Sequence, residues 1–298
     1  MYQDIKKNKI KSGIIVSLFL VAITLIIYYI CMAFDLGYLS IIIALAFSII
    51  STWSSYYYSD KIILSLNNAR PATPEEDKKI INILDSIMLS SGLTVVPKLY
   101  VVDDLQPNAF ATGRNPEHAI ICVTTGLLDK LDYYEIEGVL AHELAHIKNY
   151  DILLSAVVTV MVGLVVMLSD WFSRIIFRSH RRSSDNDKGN AIAMLIGLVL
   201  LIISPIFAQL MKLAISRKRE YLADATAIEF TRNPDGLISA LRKLDNDPNQ
   251  LETANDSTAH MYIVSPFKNN NLNKKRKTSL LSTHPSIDDR IAALRKLK

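Results

Sequence analysis

The sequence predicts a mainly α-helical chain in which an α+β domain with a small antiparallel β-sheet is fused to transmembrane helices. Three observations predict this fold class. Half of the 298 residues are hydrophobic and the mean hydropathy is +0.22, which is more apolar than is usual for a soluble protein. Long uncharged apolar runs occur both near the N-terminus and in the second half of the chain. Between them lie short strand-like segments that lead into a helical pattern.

Four apolar runs are candidate transmembrane segments. Residues 13–34 contain no charged side chain, and about 20 helical residues are enough to cross the hydrocarbon core. A tight turn separates this run from a second one at 39–53, which an aromatic cluster extends to residue 58. The runs at 152–168 and 191–208 are close to the lower length limit. They form either a second membrane hairpin or buried helices of the α+β domain.

The charges around the first run predict the orientation of the chain in a membrane. Four lysines precede this run, whereas the turn after it carries only Asp35. The positive-inside rule therefore places the N-terminus in the cytoplasm, and two crossings return residues 54–151 to the same side. The loop at 170–190 conflicts with this arrangement, because it carries four arginines and would lie outside.

The polar parts of the chain predict further helices and three strands. A helix is expected at 71–92, where Thr73 begins a good N-terminal signal, and another begins at Asp132 with Glu135 as its capping-box partner. The three short strands are at 98–102, 109–112 and 119–124. Later helices are expected at 209–231, 235–244 and 286–298. The segment 245–279 has the composition of a flexible linker, with one apolar island at 261–264.

The most informative motif is His142-Glu143-Leu144-Ala145-His146, within the helix that begins at Asp132. Residues four positions apart lie on the same face of a helix, so both imidazoles can hold one zinc ion. Glu143 stands beside them and is free to act as a base on water. No Cys-x-x-Cys pair occurs, so any further zinc ligand must be a histidine or a carboxylate.

A catalytic zinc usually takes three protein ligands and keeps one open position. Glu220 is the candidate for the third ligand, and Asp224, one helical turn later, can orient a ligand histidine or a nearby arginine. From the residues alone, Glu220 is explained equally well as a solvent-exposed carboxylate on a helix, paired with a lysine or arginine. If His146 and Glu220 share an ion, the chain between them crosses the membrane an even number of times, which two spans satisfy.

Four segments of the chain resemble the HtpX family of bacterial heat-shock membrane metalloproteases and, more distantly, the CAAX prenyl endopeptidases. The matching residues are Asn108-Ala109-Phe110-Ala111, His142-Glu143-Leu144-Ala145-His146, Glu220-Tyr221-Leu222-Ala223-Asp224, and Thr283-His284-Pro285 followed by Arg290. Their order, with paired apolar runs before and after the zinc motif, extends the resemblance over nearly the whole chain. The linker before Thr283 is not fixed by any motif.

The resemblance implies a zincin-like catalytic domain that binds one Zn²⁺ per chain. It implies that His142, His146 and Glu220 are the metal ligands and that Glu143 is the general base. The predicted organisation then has four parts. They are a transmembrane hairpin at 1–58, the first half of the catalytic domain at 59–151, a second transmembrane hairpin at 152–208 and the second half of the catalytic domain at 209–298.

The resemblance also implies roles for residues outside the metal ligands. His284 would donate to the oxyanion that develops during hydrolysis, and Arg290 would brace the acidic residues nearby. The edge strand that receives the substrate would contain Asn108, Ala109, Phe110 and Ala111. A peptide paired with this strand through its main chain would bind with little demand on its sequence.

The predicted function is a membrane-integral zinc endopeptidase that cleaves unfolded or misassembled membrane proteins at the cytoplasmic face of a bacterial inner membrane. One alternative is an enzyme for a single defined peptide or lipidated tail. A second is a membrane scaffold or sensor with a structural zinc site, which a fourth protein ligand would close. Since the net charge is only +4 and basic residues are mixed with acidic ones, no nucleic-acid partner is expected.

The remaining histidines and the two cysteines carry weaker signals. Cys31 lies in an apolar run and Cys122 in a predicted strand, so no disulfide is expected between them. His118 and His180 are predicted in turns or loops. His260 adjoins the apolar island and can approach the cleft.

Overall fold

The computed structural model describes residues 2–33, 36–163, 216–253, 257–266 and 285–297. Within these ranges two long apolar helices precede a small sheet, and further helices surround that sheet. The predicted combination of a mainly helical α+β domain with membrane helices is therefore confirmed. The predicted loop at 170–190, the apolar run at 191–208 and residue His284 lie outside the described residues.

The N-terminal helices are α1 (Tyr2–Ala33) and α2 (Leu39–Tyr57), which pack against each other. Each contains a stretch that is long and apolar enough to cross a membrane, Asn8–Tyr29 in α1 and all of α2. The turn between them includes Gly37 with φ of +52°, a left-handed conformation that glycine adopts at little cost. Many large apolar side chains of both helices are exposed, which suits a lipid-facing surface.

The sheet and its neighbours follow directly after the second helix. In chain order the elements are α3 (Ser59–Leu66), β1 (Arg70–Pro71), α4 (Pro74–Ser91), β2 (Lys98–Val102), β3 (Ala109–Thr112), β4 (Ile120–Thr124), α5 (Thr125–Lys130) and α6 (Tyr133–Lys148). Thr73 caps α4 together with Glu76, and Asp132 caps α6 together with Glu135. These two reciprocal caps explain why both helices begin close to the predicted positions.

The expectation that the whole sheet is antiparallel was wrong, because the sheet is mixed. Its strand order is β1-β2-β4-β3. β3 pairs with β4 in antiparallel orientation, but β2 runs parallel to β4, with Leu99 opposite Ile121. The chain leaves β2, crosses to the far edge to form β3, and then returns as β4 between the two. Pairing partners depend on this crossover, which the pattern of strand residues does not encode.

Helix α6 lies in the main hydrophobic core. Ala109 and Ala111 of β3 share this core with Leu140 and Leu144 of α6, whereas Phe110 belongs to a second cluster on the other face of the sheet. Helices α8 (Arg217–Thr231) and α9 (Pro234–Asn246) pack on α6, and α10 (Ile287–Leu294) packs on α8 and α9. The core therefore holds the central part of α6 rigidly between the sheet and the later helices.

The third apolar run begins a helix, α7, of which residues Asp151–Gly163 are described. It is bent by 82° from α6, with the bend at residues 149 and 150. The apolar side of α7 contacts the first membrane helix, where Leu154, Val157 and Val158 join Phe19 and Ile23 in one buried cluster. The same helix also contacts the α+β domain, because Ile152 belongs to the main core, and Ala156 and Val160 belong to the cluster that contains Phe110.

The predicted linker was wrong for the described part of 245–266, because these residues pack on the domain. Leu251 is buried, and the apolar island at 261–264 has Tyr262 fully buried against Phe110. Polar residues in this segment bond to the loop after β2; the main-chain N–H of Glu252, for example, donates to Asp104. A composition rich in Asn and Asp therefore reflects turns with specific partners here, not absence of structure.

Candidate active site

Helix α6 carries three of the predicted site residues, and its ends are fixed to neighbouring elements. Glu135 in its first turn accepts hydrogen bonds of 2.6 Å from Ser239 and from Lys243, both on α9. Close packing continues one turn later, since a Cβ atom on Gly138 would lie 2.8 Å from the Cα atom of Leu237. The axial position and rotation of the zinc-motif helix are therefore set by α9.

His142, His146 and Glu220 converge on one point. Their ligand atoms all lie within 4.8 Å of one another, and the two Nε2 atoms of the histidines are 3.1 Å apart. The carboxylate of Glu220, on α8, lies 3.7 Å from Nε2 of His142 and 3.6 Å from Nε2 of His146. Thus a residue from a distant part of the chain joins the two histidines of α6.

Each of these histidines has a carboxylate behind it. Nδ1 of His142 lies 2.9 Å from Asp224, and Nδ1 of His146 lies 3.0 Å from Asp151. A proton on Nδ1 satisfies each contact and leaves the Nε2 lone pair directed into the cluster. Two such lone pairs and a carboxylate repel one another unless a cation lies among them. The donor set of two imidazoles and one carboxylate therefore fits a metal ion, and it matches the preference of catalytic zinc.

Arg290 is fully buried at the back of the cluster. Its guanidinium donates to both carboxylate oxygens of Asp224, at 2.9 and 2.6 Å, and to the main-chain oxygen of Ile263 at 2.9 Å. It also lies 3.5 Å from Glu220. The structure therefore brings the predicted bracing arginine, from the last described α-helix, into contact with Glu220 and Asp224 of α8.

The buried environment shifts the pKa values of the site residues. Burial raises the pKa of Glu143 to about 7, and the negative charge of Glu220 adds to this effect, whereas His146, Arg290 and a main-chain hydrogen bond from Ala111 oppose it. Burial also lowers the pKa of His142. A carboxyl group with a pKa near 7 exchanges protons readily at neutral pH.

The pKa of His146 moves in the opposite direction from that of His142. Burial by itself would lower it, but the hydrogen bond with Asp151 and the negative charges of Glu220, Asp151 and Glu143 outweigh burial and raise the pKa to about 9. In the absence of a metal ion, His146 therefore holds a second proton at neutral pH.

An open cleft leads to these groups. Its lining includes Ala111, Glu143, His146, Glu220, His260 and Met261. Glu143 and two of the converging ligands therefore face the same space. His260 does approach the cleft, as the sequence allowed, and His118 lies in an exposed turn as predicted.

The four residues predicted to bind substrate occupy different environments in and directly before β3, which is an edge strand of the described sheet. Ala111 lines the cleft. Asn108 is buried and donates through Nδ2 to the main-chain oxygen of Val264 at 2.9 Å, while the oxygen of Ala109 accepts from the N–H of Ile263 at 3.0 Å. Phe110 faces the second cluster on the other side of the sheet. The outer edge of β3 is therefore covered at its first residues and open at Ala111.

Sequence reasoning missed two features of the site. In the sequence analysis Asp151 is only the last residue of a segment. Because it is an acidic residue just after the zinc-motif helix, it is a candidate hydrogen-bond partner of His146. The contact of 261–264 with β3 had a signal too, namely an apolar island in a polar segment, but that pattern does not reveal which strand the island covers.

Comparison with known proteins decides the family. The profile described as Peptidase family M48 matches residues 74–298, which include all of the described site. The chain belongs to peptidase family M48. It is 43% identical over 294 residues to the protein named Protease HtpX homolog of Dictyoglomus thermophilum, covering 99% of this chain and 94% of that one. It is 41% identical over 300 residues to the protein of the same name in Caldanaerobacter subterraneus, covering 100% and 98%.

A structure titled Crystal Structure of S. mikatae Ste24p also aligns with the chain, with a TM-score of 0.46 and 21% identity, over 97% of this chain and 66% of that one. The predicted HtpX resemblance is confirmed by the M48 profile and the curated relatives. The protein is therefore a membrane-associated metalloendopeptidase of family M48, and the scaffold or sensor alternative loses its support.

Proposed function

We propose that this M48 enzyme is a zinc-dependent endopeptidase of a bacterial cytoplasmic membrane that hydrolyses unfolded or misassembled membrane proteins. The observation that carries the proposal is the convergence of His142, His146 and Glu220 within 4.8 Å of one another, beside a cleft that also contains Glu143. Zinc bound by these three residues supplies a Lewis acid that polarises the substrate carbonyl and makes hydroxide available near neutral pH.

Glu143 is the proposed general base. It accepts a proton from the attacking water and delivers it to the leaving amine. Its burial supports this role, because a pKa near 7 lets one carboxyl group accept and release a proton within the same turnover. His284 is proposed to donate a hydrogen bond to the negative oxygen that develops on the carbonyl, a role taken from the family resemblance.

The substrate is proposed to lie extended along β3. Asn108 and Ala109 already bond to 263–264, whereas Ala111 lines the cleft and donates a main-chain hydrogen bond to Glu143. In this arrangement the peptide pairs with the Ala111 end of the strand. The wall of the cleft is supported by Asn108, Ala109 and Phe110. Main-chain pairing gives affinity without a strict sequence requirement, as breakdown of unfolded chains demands.

The orientation of the site is proposed to be cytoplasmic. Asn8 and Lys9, at the lysine-rich end of α1, contact the bend that follows the zinc-motif helix. The metal cluster therefore lies at the end of α1 that the positive-inside rule assigns to the cytoplasm. The paired helices at 1–58 and 152–208 are proposed to hold the two halves of the catalytic domain, 59–151 and 209–298, at this surface.

The deciding experiment is digestion of an unfolded reporter by the full-length protein purified in detergent. We expect cleavage by wild type, loss on metal removal, recovery with zinc, and no turnover by Glu143→Gln although that variant still binds one zinc. Glu137→Gln, on the same helix and outside the cleft lining, is the matched control and should retain activity. Turnover by Glu143→Gln would refute the assignment of the base.

Two further measurements test substrate breadth and orientation. Mass spectrometry of the products should show many cleavage sites in the reporter; a single site would favour the alternative of one defined peptide.

For orientation, a Ser90→Cys variant should react with a membrane-impermeant maleimide only after cell lysis. Cys31 and Cys122 are buried and serve as the native background. Labelling of intact spheroplasts would contradict the cytoplasmic assignment.

A further inference from the structure

We propose that Asp151 is a positioning residue for the metal ligand His146, and that Asn8 of the first membrane helix holds Asp151 in place. The N-terminal hairpin would then complete the metal centre in addition to anchoring the protein. This inference rests on the proposed zinc site but adds residues that the mechanism above does not use.

The contacts form a continuous path from α1 to the metal cluster. Nδ2 of Asn8 donates to Oδ1 of Asp151 at 2.7 Å, and the other carboxylate oxygen of Asp151 lies 3.0 Å from Nδ1 of His146. Asn8 and Asp151 are both buried. Arg219 lies 3.5 Å from the same oxygen that Asn8 contacts. Asp151 is therefore held on one side by a neutral amide and a cation while its other oxygen faces the ligand imidazole.

The bend between α6 and α7 explains why α1 is needed. Tyr150 has φ of +58°, a left-handed conformation that non-glycine residues rarely adopt. Nδ2 of Asn8 also donates to the main-chain oxygen of Asn149 at 3.0 Å, and Nζ of Lys9 lies 4.0 Å from the centre of the Tyr150 ring. Two adjacent residues of α1 thus contact both residues of the bend and Asp151 directly after it, and the bend brings Asp151 next to His146.

The arrangement parallels the one behind the other ligand. Asp224 contacts His142 and is held by Arg290 within the catalytic domain, whereas Asp151 contacts His146 and is held by a residue of the membrane domain. A carboxylate behind a ligand imidazole fixes its tautomer and its ring orientation, and loss of such a group weakens metal binding by about 10–100-fold. Disturbing the position of α1 would therefore reach the metal through Asn8.

The test measures zinc affinity of the full-length protein in detergent, by competition with a chelator at constant pH. Asp151→Asn should weaken zinc binding by about 10–100-fold. Asn8→Leu should weaken it in the same direction but less, and the double variant should lose no more than Asp151→Asn alone, because both act through one path. The visible spectrum of the cobalt(II) form should change in all three variants, which a purely structural role would not cause.

Controls at positions outside this path separate the proposal from general effects. Ser17→Ala on α1 and Asp129→Asn on the surface remove polar groups that do not contact His146, and both should bind zinc like wild type. If Asn8→Leu does not fold, Asn8→Ala removes the same amide without adding bulk. Unchanged zinc affinity in the Asn8 variants would overturn the role of α1, and unchanged affinity in Asp151→Asn would overturn the whole inference. Failure of wild type to bind zinc would instead refute the proposed function.

Discussion

Arg290 and Asp224 form a buried ion pair with two hydrogen bonds, at 2.9 and 2.6 Å, which joins the last described helix to α8. The same carboxylate contacts His142, so this pair connects the C-terminal part of the chain to a proposed metal ligand. A buried pair stabilises little relative to apolar residues, but removal of one partner leaves an uncompensated charge. The orientation of His142 therefore depends on a residue near the end of the sequence.

The first prediction concerns this ion pair. Arg290→Met should lower the free energy of unfolding by about 3–5 kcal/mol, because Asp224 is left charged and buried without its partner. The expected readout is a lower thermal midpoint of the detergent-purified protein. Arg295→Met, at an exposed position close by in sequence, should change stability by less than about 0.5 kcal/mol. Equal midpoints for the two variants would contradict the prediction.

The second prediction concerns pH and metal binding. The metal must displace the proton that His146 holds below its raised pKa of about 9. Zinc affinity should therefore rise about tenfold per pH unit from pH 7 to pH 9 and then level off. In the metal-free protein the protonated histidine stabilises the fold fully below pH 6.5, and this contribution disappears as the pH rises through 9.

Chelator competition between pH 6 and pH 10 measures this dependence. His118→Gln, which replaces an exposed histidine far from the cleft, should leave the profile unchanged and serves as the control. A plateau that begins near pH 6.5, the ordinary pKa of histidine, would show that the surrounding carboxylates do not raise the pKa of His146.

The third prediction concerns packing behind the zinc-motif helix. Gly138→Ala would place a methyl group 2.8 Å from the backbone of Leu237, so α6 and α9 must separate. The variant should lose about 1–3 kcal/mol of stability through overpacking. Gly13→Ala, in α1, adds the same methyl group where no atom lies within 4 Å, and it should show no such loss. Thermal unfolding of both variants in detergent provides the comparison.

The fourth prediction concerns the segment that borders the cleft. Oδ1 of Asn67 accepts hydrogen bonds from Thr258 at 2.9 Å and from the hydroxyl of Tyr262 at 3.0 Å, and all three residues are buried. Asn67→Ala removes the buried acceptor of both hydrogen bonds, at a cost of about 1–3 kcal/mol. The amide of Ile263 should then exchange its hydrogen faster, because its segment loses its anchor.

Hydrogen exchange with mass spectrometry tests this effect on the peptide that contains Ile263. Asn82→Ala, an exposed asparagine on α4, is the matched control. Protection equal to wild type in the Asn67 variant would mean that the pairing of Ile263 with Ala109 holds the segment without help from Asn67.

The parts of this protein that depend on local pattern can be predicted from neighbouring residues in the sequence. Uncharged runs of sufficient length gave the two N-terminal helices, the residues around Asp132 gave the start of the zinc-motif helix, and the spacing of His142 and His146 placed both imidazoles on one face. Each follows from helix geometry or from transfer of apolar residues to lipid, so neighbouring residues are enough.

The folded structure determines how distant segments meet. It placed Glu220 beside the two histidines, ran β2 parallel to β4, set the 261–264 segment against β3, and brought Asn8 to Asp151. These contacts depend on strand crossover and on helix docking, which bury surfaces that are far apart in the chain. The residues that make these contacts show no periodic pattern in the sequence, because a single polar side chain needs only one partner. The fold determines which residue that partner is.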